Sequence, residues 1–123
     1  MVAPDDLANF VGRCIPSVWA LEILFLLRRD AERCWGDGEI VRELRASQAV
    51  VTQALGPLSA VGLVVQDDQG CWRYAPASVV MRELTDQLYE AYKARPVAVV
   101  NIIARPSAIQ SLADAFKFRG GDK

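Results

Sequence analysis

The apolar residues change period several times along the chain, and each change predicts an element. Val18, Trp19, Leu21, Ile23, Leu24, Phe25, Leu26 and Leu27 are apolar on nearly every face of a helix, which predicts a central helix covered on several sides. Pro16 and Ser17 open it, with Pro16 in a first turn where its missing N–H costs nothing. Arg28, Arg29, Asp30, Glu32 and Arg33 bring it to the surface. Gly36-Asp37-Gly38 breaks the chain, and Asp37 is read as the N-cap of a short second helix. That helix turns Ile40, Val41 and Leu44 inward and Glu39, Arg42, Glu43 and Arg45 outward. Ser47 caps a third helix, whose Val51, Leu55 and Leu58 share one face at spacings of four and three. Gly62 then ends it cheaply, through a positive φ.

The pattern next switches to extended. Leu63-Val64-Val65-Gln66 reads as a strand, Asp67-Asp68-Gln69-Gly70 as a tight turn and Cys71-Trp72-Arg73-Tyr74 as the returning strand, stopped by Pro76. A hairpin alone is marginal in water, so it must lean on the helices. Ser78 caps a long helix carrying Val80 or Met81, Leu84, Leu88, Ala91 and Tyr92 along one stripe, interrupted at Arg95-Pro96. Val97 to Ile103 fits a strand or a buried helix; a helix is favoured, because Pro96 suits a helix start and no pairing strand is evident. A last amphipathic segment begins at Ser107, with Ile109, Leu112, Ala113 and Phe116. The expected class is mainly α with a small β-hairpin. The expected division is an N-terminal arm at 1–15, a helical and hairpin unit at 16–76, and a C-terminal helical segment at 77–118 for packing or dimerisation.

Composition narrows this picture. At 123 residues and 52% hydrophobic, the chain is one domain with a real core. The apolar surplus completes that core or covers a subunit interface. Val97, Val99, Val100, Ile102 and Ile103 pose the same choice locally, between an interface and packing across the first helix. The net charge of −1 gives no bulk attraction to polyanions, so nucleic-acid binding would require a local basic patch. Three cysteines, Cys14, Cys34 and Cys71, stand far apart without CxxC spacing. An odd number fits a reduced cytoplasmic protein better than a disulfide scaffold. Cys71, beside Gly70 and near Arg73, is a candidate reactive thiol; the competing reading is an inert small hydrophobe. Asp5 and Asp6 stand where a signal peptide carries Lys or Arg, and the run Val18 to Leu27 contains Glu22 and is too short to span a bilayer. A cytoplasmic protein without a membrane partner is expected.

Enzyme chemistry finds little here. The chain has no His, which removes the commonest general base and metal ligand and leaves a Cys nucleophile without its usual partner. Three scattered cysteines do not complete a closed zinc site, and no phosphate-cradling Gly loop is present. Neither an enzyme nor a metal or cofactor is expected.

The order helix, short helix, helix, hairpin, together with Glu39-Ile40-Val41-Arg42-Glu43-Leu44, then Ser47, Val51, Leu55 and Leu58, then Gly62-Leu63-Val64, resembles the winged helix-turn-helix superfamily. It is similar in particular to MarR-like bacterial transcription regulators, in which a capping Ser opens the recognition helix, a Leu falls four residues before a Gly, and Leu-Val starts the wing. The likeness covers roughly residues 16–76, with further helices on the C-terminal side. It implies a DNA-binding regulator, commonly a homodimer whose recognition helices meet two half-sites on double-stranded DNA. Gln48, Ala49, Thr52 and Gln53 then face outward beside Ser47. Gln pairs bidentately with adenine, and Thr bonds a base or touches a thymine methyl. Arg73 in the wing, with Arg42 and Arg45 on the preceding helix, would contact the DNA backbone. Two features oppose this reading. Between Ala46 and Trp72 the only charges are Asp67 and Asp68 at the wing tip, and Pro57 removes a hydrogen bond inside the recognition helix. They favour the alternative, a winged-helix module that binds a protein and no DNA.

Overall fold

The apolar run after Ser17 becomes the helix around which the others pack. A computed structural model describes residues 4–104, with side chains from 6 to 103. In chain order the helices are α1 (Pro4–Cys14), α2 (Val18–Arg29), α3 (Asp37–Leu44), α4 (Gln48–Ala60), α5 (Val79–Ala94) and α6 (Pro96–Ala104). Strands β1 (Val64–Gln66) and β2 (Trp72–Tyr74) lie between α4 and α5, so the class is mainly helical with a two-stranded antiparallel sheet.

Six residues of α2 are buried: Ala20, Leu21, Ile23, Leu24, Leu26 and Leu27. They fall on several faces because α3, α4, α6 and β2 all pack against this helix. Full burial of each large aliphatic side chain is worth about 1.5–3 kcal/mol. Ser17 Oγ accepts the Ala20 N–H at 3.1 Å, which makes Ser17 the cap and leaves Pro16 ahead of the helix instead of inside its first turn.

The second start differs from expectation. Asp37 is the first residue of α3, and Gly36 occupies the cap position. Glu39 reaches back to accept the Gly36 N–H at 2.8 Å, satisfying an end that Gly cannot cap with a side chain. Ser47 caps α4 as expected, accepting the Val50 N–H at 3.2 Å. Val51, Ala54, Leu55 and Leu58 form the buried face of α4, turned to α2 and α3. The helix continues through Pro57, whose missing N–H would have met the carbonyl of Gln53, an exposed residue that water can serve.

Gly62 leaves α4 with φ of +86°, and its carbonyl accepts the Ala77 N–H at 2.8 Å, anchoring both ends of the hairpin. The register is Val64↔Tyr74, Val65↔Arg73 and Gln66↔Trp72. Trp35, in the connection between α2 and α3, pairs with Trp72 through two backbone bonds of 2.7 and 2.6 Å. This bridge, with buried Leu63, Val64 and Tyr74, is how the hairpin leans on the helices.

The stretch read as an N-terminal arm contains α1, which buries Leu7, Ala8, Phe10 and Val11 and packs on α5. The segment after Pro96 is helical, and Val99, Ile102 and Ile103 are buried against α5 and α2. Three of those five apolar residues are therefore consumed inside the chain, whereas Val97 is 71% exposed. The segment predicted from Ser107, with Ile109, Leu112, Ala113 and Phe116, lies outside the described residues. Among the described residues no single helix is long and apolar enough to cross a membrane; α1 and α2 reach that length only as a pair bent by 105°.

Candidate nucleic-acid interface

Burying Val51, Leu55 and Leu58 turns the polar start of α4 to solvent. Arg42, Arg45, Ser47, Gln48, Thr52 and Gln53 are all exposed, and Arg73 is half-exposed. No charged residue lies on α4. Gln48 Nε2 donates to Thr52 Oγ1, one turn further on, at 3.2 Å, and to Asp37 Oδ2 at 3.2 Å. The other oxygen of Asp37 accepts the Trp72 indole N–H at 2.8 Å. One carboxylate therefore ties the start of α3 to the start of α4 and to β2.

The arginines have distinct settings. Arg42 lies on the outward side of α3, and Arg45 ends that helix with φ of +56°, the left-handed conformation that costs a side-chain-bearing residue roughly 1–2 kcal/mol. Arg73 sits mid-strand opposite Val65. Among the described residues none of these three has a carboxylate partner within 4.0 Å. Arg33 is committed elsewhere, bonded to Glu39 at 3.0 Å and stacked 3.6 Å over the Trp35 ring. The Gly36 N–H first, and then the Arg33 guanidinium, hold the Glu39 carboxyl below its usual range.

The two aspartates at the hairpin tip are not equivalent. Asp67 turns inward: Oδ1 accepts the Gln69 N–H at 2.9 Å and the Cys71 N–H at 3.1 Å. Asp68 alone is exposed there, so the tip is less acidic toward a partner than the sequence suggests.

One feature escaped the sequence. Cys34 and Cys71, 37 positions apart, form a disulfide with their Cα atoms 5.3 Å apart, correcting the expectation of reduced thiols throughout. The bond joins the α2–α3 connection to the hairpin beside the Trp35–Trp72 bridge. Cys71 is therefore no lone thiol activated by Arg73. Its spacing from Cys34 carries no recognisable motif, and connectivity among cysteines does not follow from sequence alone. Cys14 stays free, and burial pushes its thiol up, away from the reactive thiolate.

A concavity of about 790 Å³ opens between α2, α3 and α5. Arg28 spans it to Asp86 at 2.8 Å, and the Tyr92 hydroxyl donates to Glu22 at 3.0 Å. The Tyr74 hydroxyl at its edge is buried without a partner among the described residues, and burial pushes the phenol up. Its cationic and anionic side chains largely satisfy one another, which leaves no single-sign field for a charged ligand. The chain has no match among known family models, curated proteins or solved structures.

Proposed function

We propose that this chain is a DNA-binding transcription regulator of winged-helix type, acting as a homodimer. In this reading α2, α3 and α4 are the three helices of the motif, α4 is the recognition helix, and the β1–β2 hairpin is the wing. The observation that carries it is the solvent-facing start of α4. Gln48, Thr52 and Gln53 stand free of the core, while Arg42, Arg45 and Arg73 have no carboxylate partner among the described residues. Amides and hydroxyls on a helix surface are suited to base edges in the major groove, and unpaired arginines to phosphates. Exposed Val79, Val80 and Val97 supply apolar surface for a second copy.

A gel-shift titration against genomic DNA fragments at two salt concentrations tests the reading. Six arginines in a dimer would release about six counterions, a slope near −5 in log affinity against log salt. R73A should make that slope shallower by about 2, since both subunits lose a contact. Q48A should leave the slope unchanged and lower the preference for the best fragment.

The second reading, a winged-helix module that binds a protein and no DNA, is favoured by the uncharged α4 and by Asp68 at the hairpin tip. No binding at low salt would leave that reading alone standing.

A further inference from the structure

Asp67 Oδ2 lies 3.1 Å from the Cys71 sulfur and 3.5 Å from the Cys34 sulfur. Together the three side chains bring one oxygen and two sulfurs within 4.8 Å of one another. A disulfide has no S–H, so while the bond is closed this oxygen faces two atoms that cannot donate to it. Reduction supplies the missing donor, because a thiol can give its proton to the carboxylate. Asp67 stays in place in either state because its other oxygen is held by the Gln69 and Cys71 N–H groups. Both cysteines are half-exposed, which leaves the sulfurs open to small reagents. One oxygen of Asp67 serves the turn, and the other, held against the two sulfurs, favours the dithiol over the disulfide.

We infer that Cys34, Cys71 and Asp67 form a reversible thiol–disulfide site that exchanges with low-molecular-weight disulfides of the glutathione class. In the closing direction one cysteine thiolate attacks a sulfur of the small disulfide, breaking its S–S bond and expelling one thiolate. The second cysteine thiolate attacks the protein sulfur of the mixed disulfide, forming the Cys34–Cys71 bond and expelling the other. The two protons lost by the cysteines are taken up by the two expelled thiolates, and two electrons pass from the protein to the small disulfide. Opening runs the same steps backwards. The closed bond fastens the hairpin to the α2–α3 connection; the open state leaves that junction to the Trp35–Trp72 backbone pair and the Trp72–Asp37 hydrogen bond. The inference does not depend on DNA binding.

The test uses the full chain, equilibrated anaerobically in mixtures of reduced and oxidised glutathione, acid-quenched, and counted for free thiols by the mass added by a maleimide. The expected result is a two-thiol transition within the glutathione range, with no disulfide-linked dimer at any ratio and with Cys14 labelled in both states. D67N keeps an oxygen for the Gln69 and Cys71 N–H groups and replaces the sulfur-facing oxygen with an amide. It should shift the equilibrium toward the disulfide by about fivefold, the worth of one hydrogen bond, with unchanged circular dichroism. Amide exchange across Val64–Tyr74 should be faster in the dithiol. A bond that stays closed at every glutathione ratio would overturn the inference, as would an unshifted D67N. Stoichiometric uptake of Zn²⁺ by the reduced chain, lost in C34S, would overturn it too, by making the trio a metal centre.

Discussion

Trp72 donates its indole N–H to Asp37 at 2.8 Å, joining the returning strand of the hairpin to the first residue of α3 across 35 positions of sequence. The same carboxylate accepts from Gln48, so one residue contacts both the hairpin and the polar face of α4. Trp72→Phe removes the donor and keeps most of the ring. Urea unfolding should show a loss of about 1–2 kcal/mol with an unchanged m-value, the cost of one charge-assisted bond in a half-exposed setting. A loss confined to the few tenths expected from ring size alone would mean that Asp37 does not anchor the hairpin.

Two neighbours on α4 should behave oppositely. Leu55 is 1% exposed against α2, and truncation to Ala leaves a cavity costing about 2–5 kcal/mol. Gln53 faces solvent, and Gln53→Ala should fall within about 0.5 kcal/mol of the parent. Thermal melts of the pair check which side of α4 carries the core. Similar losses in both would mean that the helix is rotated.

Much of this was legible in the sequence for a physical reason: where one residue type settles a local question, the pattern is enough. Ser17, Ser47 and Ser78 cap the helices that follow them, Gly62 takes the positive φ that ends α4, and the turn at Asp67–Gly70 separates the two strands. The start of α3 misled because Asp37 and Gly36 are adjacent, and a glycine cap works only through Glu39 behind it. Helix α1 is legible too, though it lies in the stretch expected to be an arm: Leu7, Phe10, Val11 and Cys14 recur at helical spacing. The Cys34–Cys71 bond and the Trp35–Trp72 bridge left none, because each is a single contact between distant residues and no periodicity announces it. The outward set on α4 followed from its inward set. What that face binds does not follow from periodicity at all.

Acid should weaken the start of α3 through Glu39. The Gly36 N–H, then the Arg33 guanidinium, favour the charged carboxylate and lower its pKa in the folded chain below the ordinary value of 4.5. A group depressed on folding contributes stability that is fully present above its unfolded pKa and is lost as pH falls through the folded one. The midpoint of thermal unfolding should therefore decline below about pH 4.5. In Glu39→Gln, which can still accept the Gly36 N–H but carries no charge, that decline should be shallower. Parallel pH profiles for parent and variant would count against this role of Glu39.

Arg45 offers a way to separate stability from DNA binding. It closes α3 with φ of +56°, a conformation in which a side chain costs energy and glycine is at ease. Arg45→Gly relieves that cost while making the unfolded chain more flexible, so the net gain in folding stability should be small, up to about 1 kcal/mol. The guanidinium it removes is exposed and lacks a carboxylate partner among the described residues, so no internal ion pair is broken. If α4 and its flanking arginines meet DNA, the same variant should bind less tightly across all fragments and show a salt slope shallower by about 2 in a dimer. A chain that folds better and binds worse assigns Arg45 to the phosphates, because no loss of fold can account for the loss of affinity. A variant whose affinity and salt slope match the parent's would remove Arg45 from the interface.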